Sequence, residues 1–239
     1  MVKKIKLYNN FKIPKSHQKS ILLIGNFDGF HLGHQKLFKL AKQYKKKNKI
    51  KFGVVTFDPI PKMFFNKNLK NYRILNLNQK IKYFKNYDVD FVIVKKFDKQ
   101  FSKMKSLNFI EQILYKKLNA KYIFVSNNFR FGNKREGDVE LLKSLEKKFQ
   151  YKIIKPKPLR KKNKIISSTL IRKLLSNGNL DKANKYLNRN WSIEGIVQKG
   201  RMMGKKLVFP HVILNYKNML LQNRVFMRSK YILKIEKLF

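Results

Sequence analysis

Five short apolar, β-rich runs recur along the chain, at 21–25 (I-L-L-I-G), 52–57 (F-G-V-V-T-F), 90–94 (D-F-V-I-V), 121–125 (K-Y-I-F-V) and 151–154 (Y-K-I-I). Each reads as a buried strand. Between them lie segments with helical spacing, about 33–46, 78–86, 106–118 and 137–148; in the third, Ser106 opens an apolar face of Phe109, Ile110, Ile113 and Leu114. Alternation of strand and helix implies a parallel sheet with helices on both faces, and ligands then gather outside the carboxyl ends of the strands. Two shorter helices are expected near 169–177 and 180–187, separated by the turn Asn177-Gly178. The α/β domain is expected to span 1–188.

From Trp191 onward the pattern changes to short extended runs, I-E-G-I-V-Q, L-V-F-P and V-I-L-N-Y, broken by Gly200, Gly204 and Pro210. Residues 189–239 therefore read as a short β-rich appendage, too small for a closed barrel with its own core. A length of 239 residues suits one full domain plus such an appendage, and 43% apolar residues are enough to build a core. No apolar run approaches the roughly 20 residues a membrane span needs, and no signal-like stretch follows the N-terminus, so the expected setting is cytoplasmic. The absence of cysteine removes disulfides, thiolate metal sites and cysteine nucleophiles together.

The formal net charge of +44 would ordinarily point to nucleic acid. Forty-eight of the 57 cationic residues, however, are lysine, spread over the whole length with abundant Asn, Ile, Phe and Tyr. That is the mark of A/T-rich codons, whereas a dedicated binder concentrates arginine on one face. Runs such as Lys45–Lys47 and Arg160–Lys162 read as solvated surface, with non-specific attraction to RNA as a side effect and no specific nucleic-acid partner.

The first strand ends at Gly25 and runs into N-F-D-G-F-H-L-G-H, which places Gly29 and Gly33 in a tight turn and His31 and His34 one helical turn apart. A helix N-terminus offers unpaired N–H groups and partial positive charge, and two imidazoles add donors, so this is a phosphate-transfer arrangement without a P-loop. The alternative is a pair of half-buried packing histidines; a metal site lacks a third His or Cys. Further on, Asn128 sits just past a strand end, with Phe129 and Phe131 able either to wall an aromatic ligand or to serve as core residues of a turn. Ser167, Ser168 and Thr169 stand at the start of the next helix, as caps or as a phosphate cradle, with Arg172 in reach of the same end.

H-L-G-H at 31–34 is similar to the H-x-G-H signature of the adenylyl- and cytidylyltransferase superfamily. The longer string G-N-F-D-G-F-H-L-G-H resembles the opening of the bacterial bifunctional riboflavin kinase and FMN adenylyltransferase (FAD synthase) family. Three further blocks follow in order. T-F-D-P-I-P at 56–61, with Asp58, resembles a second-strand motif in which Ile60 stands where histidine is common. N-F-R-F-G at 128–132, followed by Arg135, Gly137 and Asp138, resembles a loop motif in which Ser126 replaces glycine, and I-S-S-T-L-I-R at 166–172 resembles a final phosphate-binding motif. The resemblance covers 20 to about 215.

It implies a Rossmann-like nucleotidyltransferase domain in which the FMN phosphate attacks the α-phosphorus of ATP, giving FAD and pyrophosphate. His31 and His34 are then assigned to the ATP phosphates and the charge developing at the α-phosphorus, Ser168 and Arg172 to the β- and γ-phosphates, and Asn128 to ligand placement. Gly25, Asn26, Phe27, Gly29, Gly33, Asp58, Phe129, Phe131, Ser167 and Thr169 are expected along the nucleotide and flavin, and Asp28 orients a histidine or the turn, or binds ribose. Mg²⁺ is implied by the pyrophosphate leaving group, with no ligands named. The expected partners are the small molecules ATP and FMN, with no membrane.

The same family carries a second, kinase domain after an L-G-R-P-Y-like hinge. Here the hinge is L-N-R-N-W at 187–191, and Val208, His211, Val212 and Ile213 replace glycine, Thr, Ala and Asn of its ATP and metal motif. Valine and isoleucine cannot make the hydroxyl and amide contacts, and Phe239 is reached before the family's catalytic glutamate, so riboflavin kinase activity is expected to be lost. Three other readings stay open: a related nucleotidyltransferase with another phosphate substrate, a basic RNA-binding protein on a decayed enzyme fold, and a kinase kept alive by an unrelated rearrangement of the appendage.

Overall fold

The computed structural model describes residues 4–69, 72–161, 164–194, 196–198, 213–215 and 220. Six strands form one parallel sheet in the order β1-β4-β3-β2-β5-β6: β1 (Lys6–Tyr8), β2 (Ile21–Ile24), β3 (Phe52–Asp58), β4 (Phe91–Lys96), β5 (Tyr122–Phe124) and β6 (Lys152–Ile154). In β2, Ile21 and Leu23 join one core cluster while Leu22 and Ile24 join another. Successive side chains of a strand point to opposite faces, so an all-apolar strand must be covered twice. α1 (Leu32–Asn48) and α3 (Leu77–Lys85) cover the first face with Leu37, Phe38, Ala41 and Phe84. The other face is covered by α5, which opens at Ser106–Asn108 and continues as a π-helix over Phe109–Lys117, and by α6 (Val139–Ser144).

The chain adds β3 and β4 on one side of β2, then returns to add β5 and β6 on the other. The segments leaving β2 and β5 therefore part in opposite directions and leave a crevice at the carboxyl ends, the place where open α/β sheets bind ligands. All five expected strands are present within two residues of their expected bounds. The edge strand β1 was not expected, because Lys6 and Leu7 are exposed and make no apolar run. The helix expected over 137–148 is instead two short ones, α6 and α7 (Glu146–Phe149), because Leu145 has φ −101 and ψ 5, outside the helical region. Two further short helices, α2 (Pro61–Phe65) and α4 (Lys99–Ser102), lie after β3 and β4; Pro at the start of the first and an Asp98 cap on the second favour helix over too few residues to show a period.

A hairpin of β7 (Arg160–Lys161) and β8 (Lys164–Ile165) leads to α8 (Ser168–Ser176) and α9 (Leu180–Leu187). These two helices share a third apolar cluster of Ile171, Leu175, Ala183, Leu187, Ile74 and Trp191. Residues 191–194 stay against α3: Gln79 Nε2 donates to the Ser192 carbonyl at 3.0 Å and Asn76 Nδ2 to the Glu194 carbonyl at 3.0 Å. Beyond them β9 (Ile196–Gln198) pairs antiparallel with β10 (Ile213–Asn215), inside two of the three extended runs. The L-V-F-P run and the kinase-motif positions Val208, His211 and Val212 lie outside the described residues.

Candidate active site

The turn after β2 is built from residues in an unusual conformation. Gly25 N makes the last ladder bond, to the Val55 carbonyl at 3.0 Å, and then Phe27, Gly29 and Phe30 take φ of 47, 81 and 40. For the two phenylalanines this left-handed geometry costs roughly 1–2 kcal/mol each. Burial of their rings offsets it: Phe27 packs edge-on to Phe38 and Phe84, and Phe30 meets Phe38, Phe84 and Tyr87. At Gly29 a side chain would be strained by the φ of 81 and crowded, since a Cβ there would lie 3.0 Å from Ile74 Cδ1.

The turn delivers His31 to the N-cap of α1. Its Nδ1 accepts the Gly33 N–H at 3.2 Å, so the proton of the neutral ring resides on Nε2. Gly33 permits this approach, because a Cβ would stand 3.1 Å from the His31 ring. His34, one turn on, stacks on His31 with ring centroids 3.8 Å apart. Burial, then the charges of Arg189 and Arg172, push the His31 pKa down to about 4. Burial, His31, Lys80 and Arg189 hold His34 well below the usual histidine range. At neutral pH the pair therefore offers N–H donors rather than cations. Among the described residues His34 Nδ1 and Asn26 Oδ1 are buried with no hydrogen-bond partner.

α8 meets the turn from the other side. Ser167 Oγ caps the helix by accepting from Leu170 N at 3.2 Å, Ser168 Oγ donates to the Asp28 carbonyl at 2.6 Å, and Thr169 is exposed in the first turn. The buried Asp28 carboxylate accepts from the Ile74 and Leu75 amides, both at 3.1 Å, and from Arg172 Nη2 at 2.6 Å. Of the roles open to Asp28, these contacts match ordering of the turn; neither histidine is its partner. Arg172 also donates from Nε to the Tyr72 carbonyl at 3.0 Å and lies over the Tyr72 ring at 3.7 Å. Its expected reach toward phosphate is thus shared with two internal partners, while its charge still bears on His31.

Asp58, at the end of β3, forms an ion pair with Arg73, whose Nε is buried without a partner. Lys80 of α3 is also buried, and its Nζ donates to the Asn26 carbonyl at 3.2 Å. Burial lowers its pKa, against the pull of Asp28. Tyr72, Arg73, Lys80 and Arg189 are the site residues that sequence reasoning missed. One signal was available for Lys80, which precedes Phe84 by one helical turn and so occupies the buried face of α3. Among 48 lysines it did not stand out.

The loop after β5 forms a separate wall. Asn128 is exposed and its Oδ1 accepts from Ser126 Oγ at 3.0 Å. Phe131 is buried and pairs its backbone with Gly137, while the half-buried Phe129 stacks on it at 5.5 Å. Asn128 and Phe129, with Arg130, Arg135 and Asp138, line a cleft of about 290 Å³. Among the described residues no hydrogen bond joins this loop to the histidine turn. The structure thus brings Gly25 to His34, Asp58, Ser167 to Thr169 and Arg172 into one cluster, and sets Asn128, Phe129 and Phe131 across the crevice.

The family model of FAD synthetase matches residues 13–170, from before β2 into α8. The chain belongs to the FAD synthetase family. A relative from Buchnera aphidicola (subspecies from Acyrthosiphon pisum), named bifunctional riboflavin kinase/FMN adenylyltransferase, is 42% identical over 221 residues, which are 92% of this chain and 71% of the relative. A protein of Listeria monocytogenes named FAD synthetase is 31% identical over 80% of this chain and 77% of its own length. Among solved structures, one described as a macrolide-efflux protein from Streptococcus pneumoniae matches with a TM-score of 0.74 and 27% identity, over 90% of this chain and 71% of that one. No helix among the described residues is long and apolar enough to cross a membrane. All four blocks of the FAD synthetase family pattern, at 25–34, 56–61, 128–132 and 166–172, lie at carboxyl ends of strands or at the helix starts beside them.

Proposed function

We propose that this chain transfers the adenylyl group of ATP to FMN, forming FAD and pyrophosphate in the crevice between the segments leaving β2 and β5. The observation that carries the reading is the stacked His31–His34 pair at the N-terminus of α1, at the point where the strand order of the sheet reverses. The nucleophile is already an anionic phosphate, so no strong base is needed; catalysis rests on in-line placement and stabilisation of charge. His31 Nε2–H and His34 donate to the α-phosphate oxygens as charge gathers there, with the N–H groups of the first turn of α1 beside them. The start of α8, with Ser168 and Thr169, faces the β- and γ-phosphates. Arg172, Arg189 and Lys80 supply the positive field that the neutral histidines do not. Across the crevice Phe129, stacked on Phe131, offers an aromatic face to the flavin, and Asn128 a polar edge.

Mg²⁺ belongs to this reading as a companion of the ATP phosphates. Asp28 is occupied by Arg172 and two amides, whereas Asp58 is a half-exposed carboxylate at the end of β3, paired with Arg73. That donor set fits a magnesium ion held mainly by phosphate and water, with Asp58 as its protein contact. When bound, the ion would neutralise the departing pyrophosphate. ATP as co-substrate favours a cytoplasmic setting. We further infer from Val208, Val212 and Ile213 that riboflavin is not phosphorylated.

Chromatography of products after incubation with Mg-ATP and either FMN or riboflavin tests the adenylyl transfer and the kinase inference. FAD from FMN alone, lost in a His31→Ala, His34→Ala double variant, is the expected result. FAD from neither flavin overturns the reading, and FMN or FAD from riboflavin overturns the kinase inference.

A further inference from the structure

Arg189 stands in the L-N-R-N-W segment after α9, beyond residues 13–170 that the FAD synthetase family model matches. Its guanidinium is spent on backbone carbonyls: Nη2 donates to Gly29 at 2.6 Å, and Nη1 to Phe30 at 3.1 Å and Leu187 at 3.0 Å. The guanidinium lies over the Tyr83 ring at 4.2 Å. Gln35 Nε2 donates to the same Phe30 and Leu187 carbonyls, at 3.0 and 2.8 Å, so the two side chains tie the end of α9 to the turn. The Phe30 carbonyl shares a rigid peptide plane with the N–H of His31, so holding one orients the other. Left-handed residues such as Phe27 and Phe30 persist only where their surroundings over-determine them.

We propose that Arg189 is a positioning residue for adenylyl transfer: by holding the Gly29 and Phe30 carbonyls behind the turn, it sets the His31 ring and turns the amides of the first turn of α1 toward the phosphates. The segment after α9 is then part of the catalytic apparatus. The reaction named here rests on the adenylyl-transfer reading; the geometry does not. The charge of Arg189 leaves a separate signature, since after burial it is the largest cause holding His31 down. The other charged or titratable groups acting there are Arg172 from α8 and His34 on α1, with Lys80 of α3 acting on His34. A lysine at 189 keeps the charge but lacks the planar fork that spans two carbonyls.

The test compares the full chain with Arg189→Gln and Arg189→Lys by steady-state FAD formation from Mg-ATP and FMN, by NMR titration of His31, and by thermal unfolding. In Arg189→Gln the kcat is expected to fall by about 100-fold, as for a misplaced catalytic group, with a much smaller change in the KM for ATP. The His31 midpoint should rise from about 4 toward, without reaching, 6.5, because burial remains. Arg189→Lys should restore the titration but only part of the kcat. Wild-type kcat in Arg189→Gln, a change confined to KM, or full recovery in Arg189→Lys each overturns the proposal. Should Arg189→Gln not fold, Arg189→Lys decides by the same criteria. Should the wild-type chain make no FAD, the adenylyl-transfer reading fails, while unchanged backbone amide shifts over residues 29–34 in Arg189→Gln still overturn the geometric claim.

Discussion

In the proposed reaction His31 and His34 act as neutral donors, and that has consequences for pH. Because burial and the neighbouring guanidinium groups push the His31 pKa down to about 4, kcat/KM for ATP is expected to show no inflection around pH 6.5; a fall in activity as pH rises through 6.5 would mean that a charged imidazole does the work. The same shift links to stability. The unfolded chain takes up the His31 proton near 6.5 and the folded chain only near 4, so this contribution is complete above 6.5, is lost as pH falls to about 4, and is flat below. Melting temperature against pH, with His31→Gln as the control that flattens the slope, checks the sign. Asp28 is the second residue with a sharp expectation. Its side chain is 2% exposed and that of Arg172 14%, so Asp28→Asn leaves a buried guanidinium without its counter-charge. A loss of about 3 kcal/mol is expected in denaturant unfolding.

Elements make the site by where they begin. α1 and α8 both start at the crevice, one capped by His31 and the other by Ser167, so two sets of unpaired N–H groups converge. Ser167→Ala is expected to cost about 1 kcal/mol of stability, read by chemical denaturation, as the loss of an N-cap does elsewhere. The turn between β2 and α1 responds differently. Gly29→Ala meets both the left-handed φ of 81 and Ile74 at 3.0 Å, so a strain of roughly 1–2 kcal/mol is joined by displacement of the His31 cap. The kcat should fall by more than the stability loss accounts for, and steady-state kinetics beside unfolding curves separates the two. Periodicity made α1, α3, α5, α8 and α9 legible in the sequence. It could not show that α5 winds as a π-helix or that Leu145 breaks α6 from α7, since both depend on packing rather than spacing.

At the scale of the whole molecule, charge dominates. Thirteen acidic residues face 57 cationic ones, so most lysines have no acidic partner and repel one another across the surface. Four of those acids hold partly buried pairs: Asp28 with Arg172, Asp58 with Arg73, Asp88 and Asp90 with Lys45. Added NaCl is therefore expected to raise the melting temperature from its low-salt value, by screening the repulsion more than it weakens the short, half-buried pairs. A fall in melting temperature with salt would show that the ion pairs outweigh the repulsion.

The doubly covered parallel sheet, the histidine turn and the capped start of α8 were legible in the sequence, because each rests on local spacing: apolar runs, glycines at a turn, two histidines three residues apart; the family was legible only as a resemblance of whole motif strings. The partners of those residues were not. Arg172 meets Asp28 across 144 positions and Arg189 meets Gly29 across 160, and no local pattern encodes a contact at that separation. Lys80 looked like one more surface lysine until α3 was laid against the turn, and Arg189 like part of a hinge. Tertiary structure also decided the state of the histidines, since burial and neighbouring guanidinium groups, rather than the H-L-G-H string, keep them uncharged.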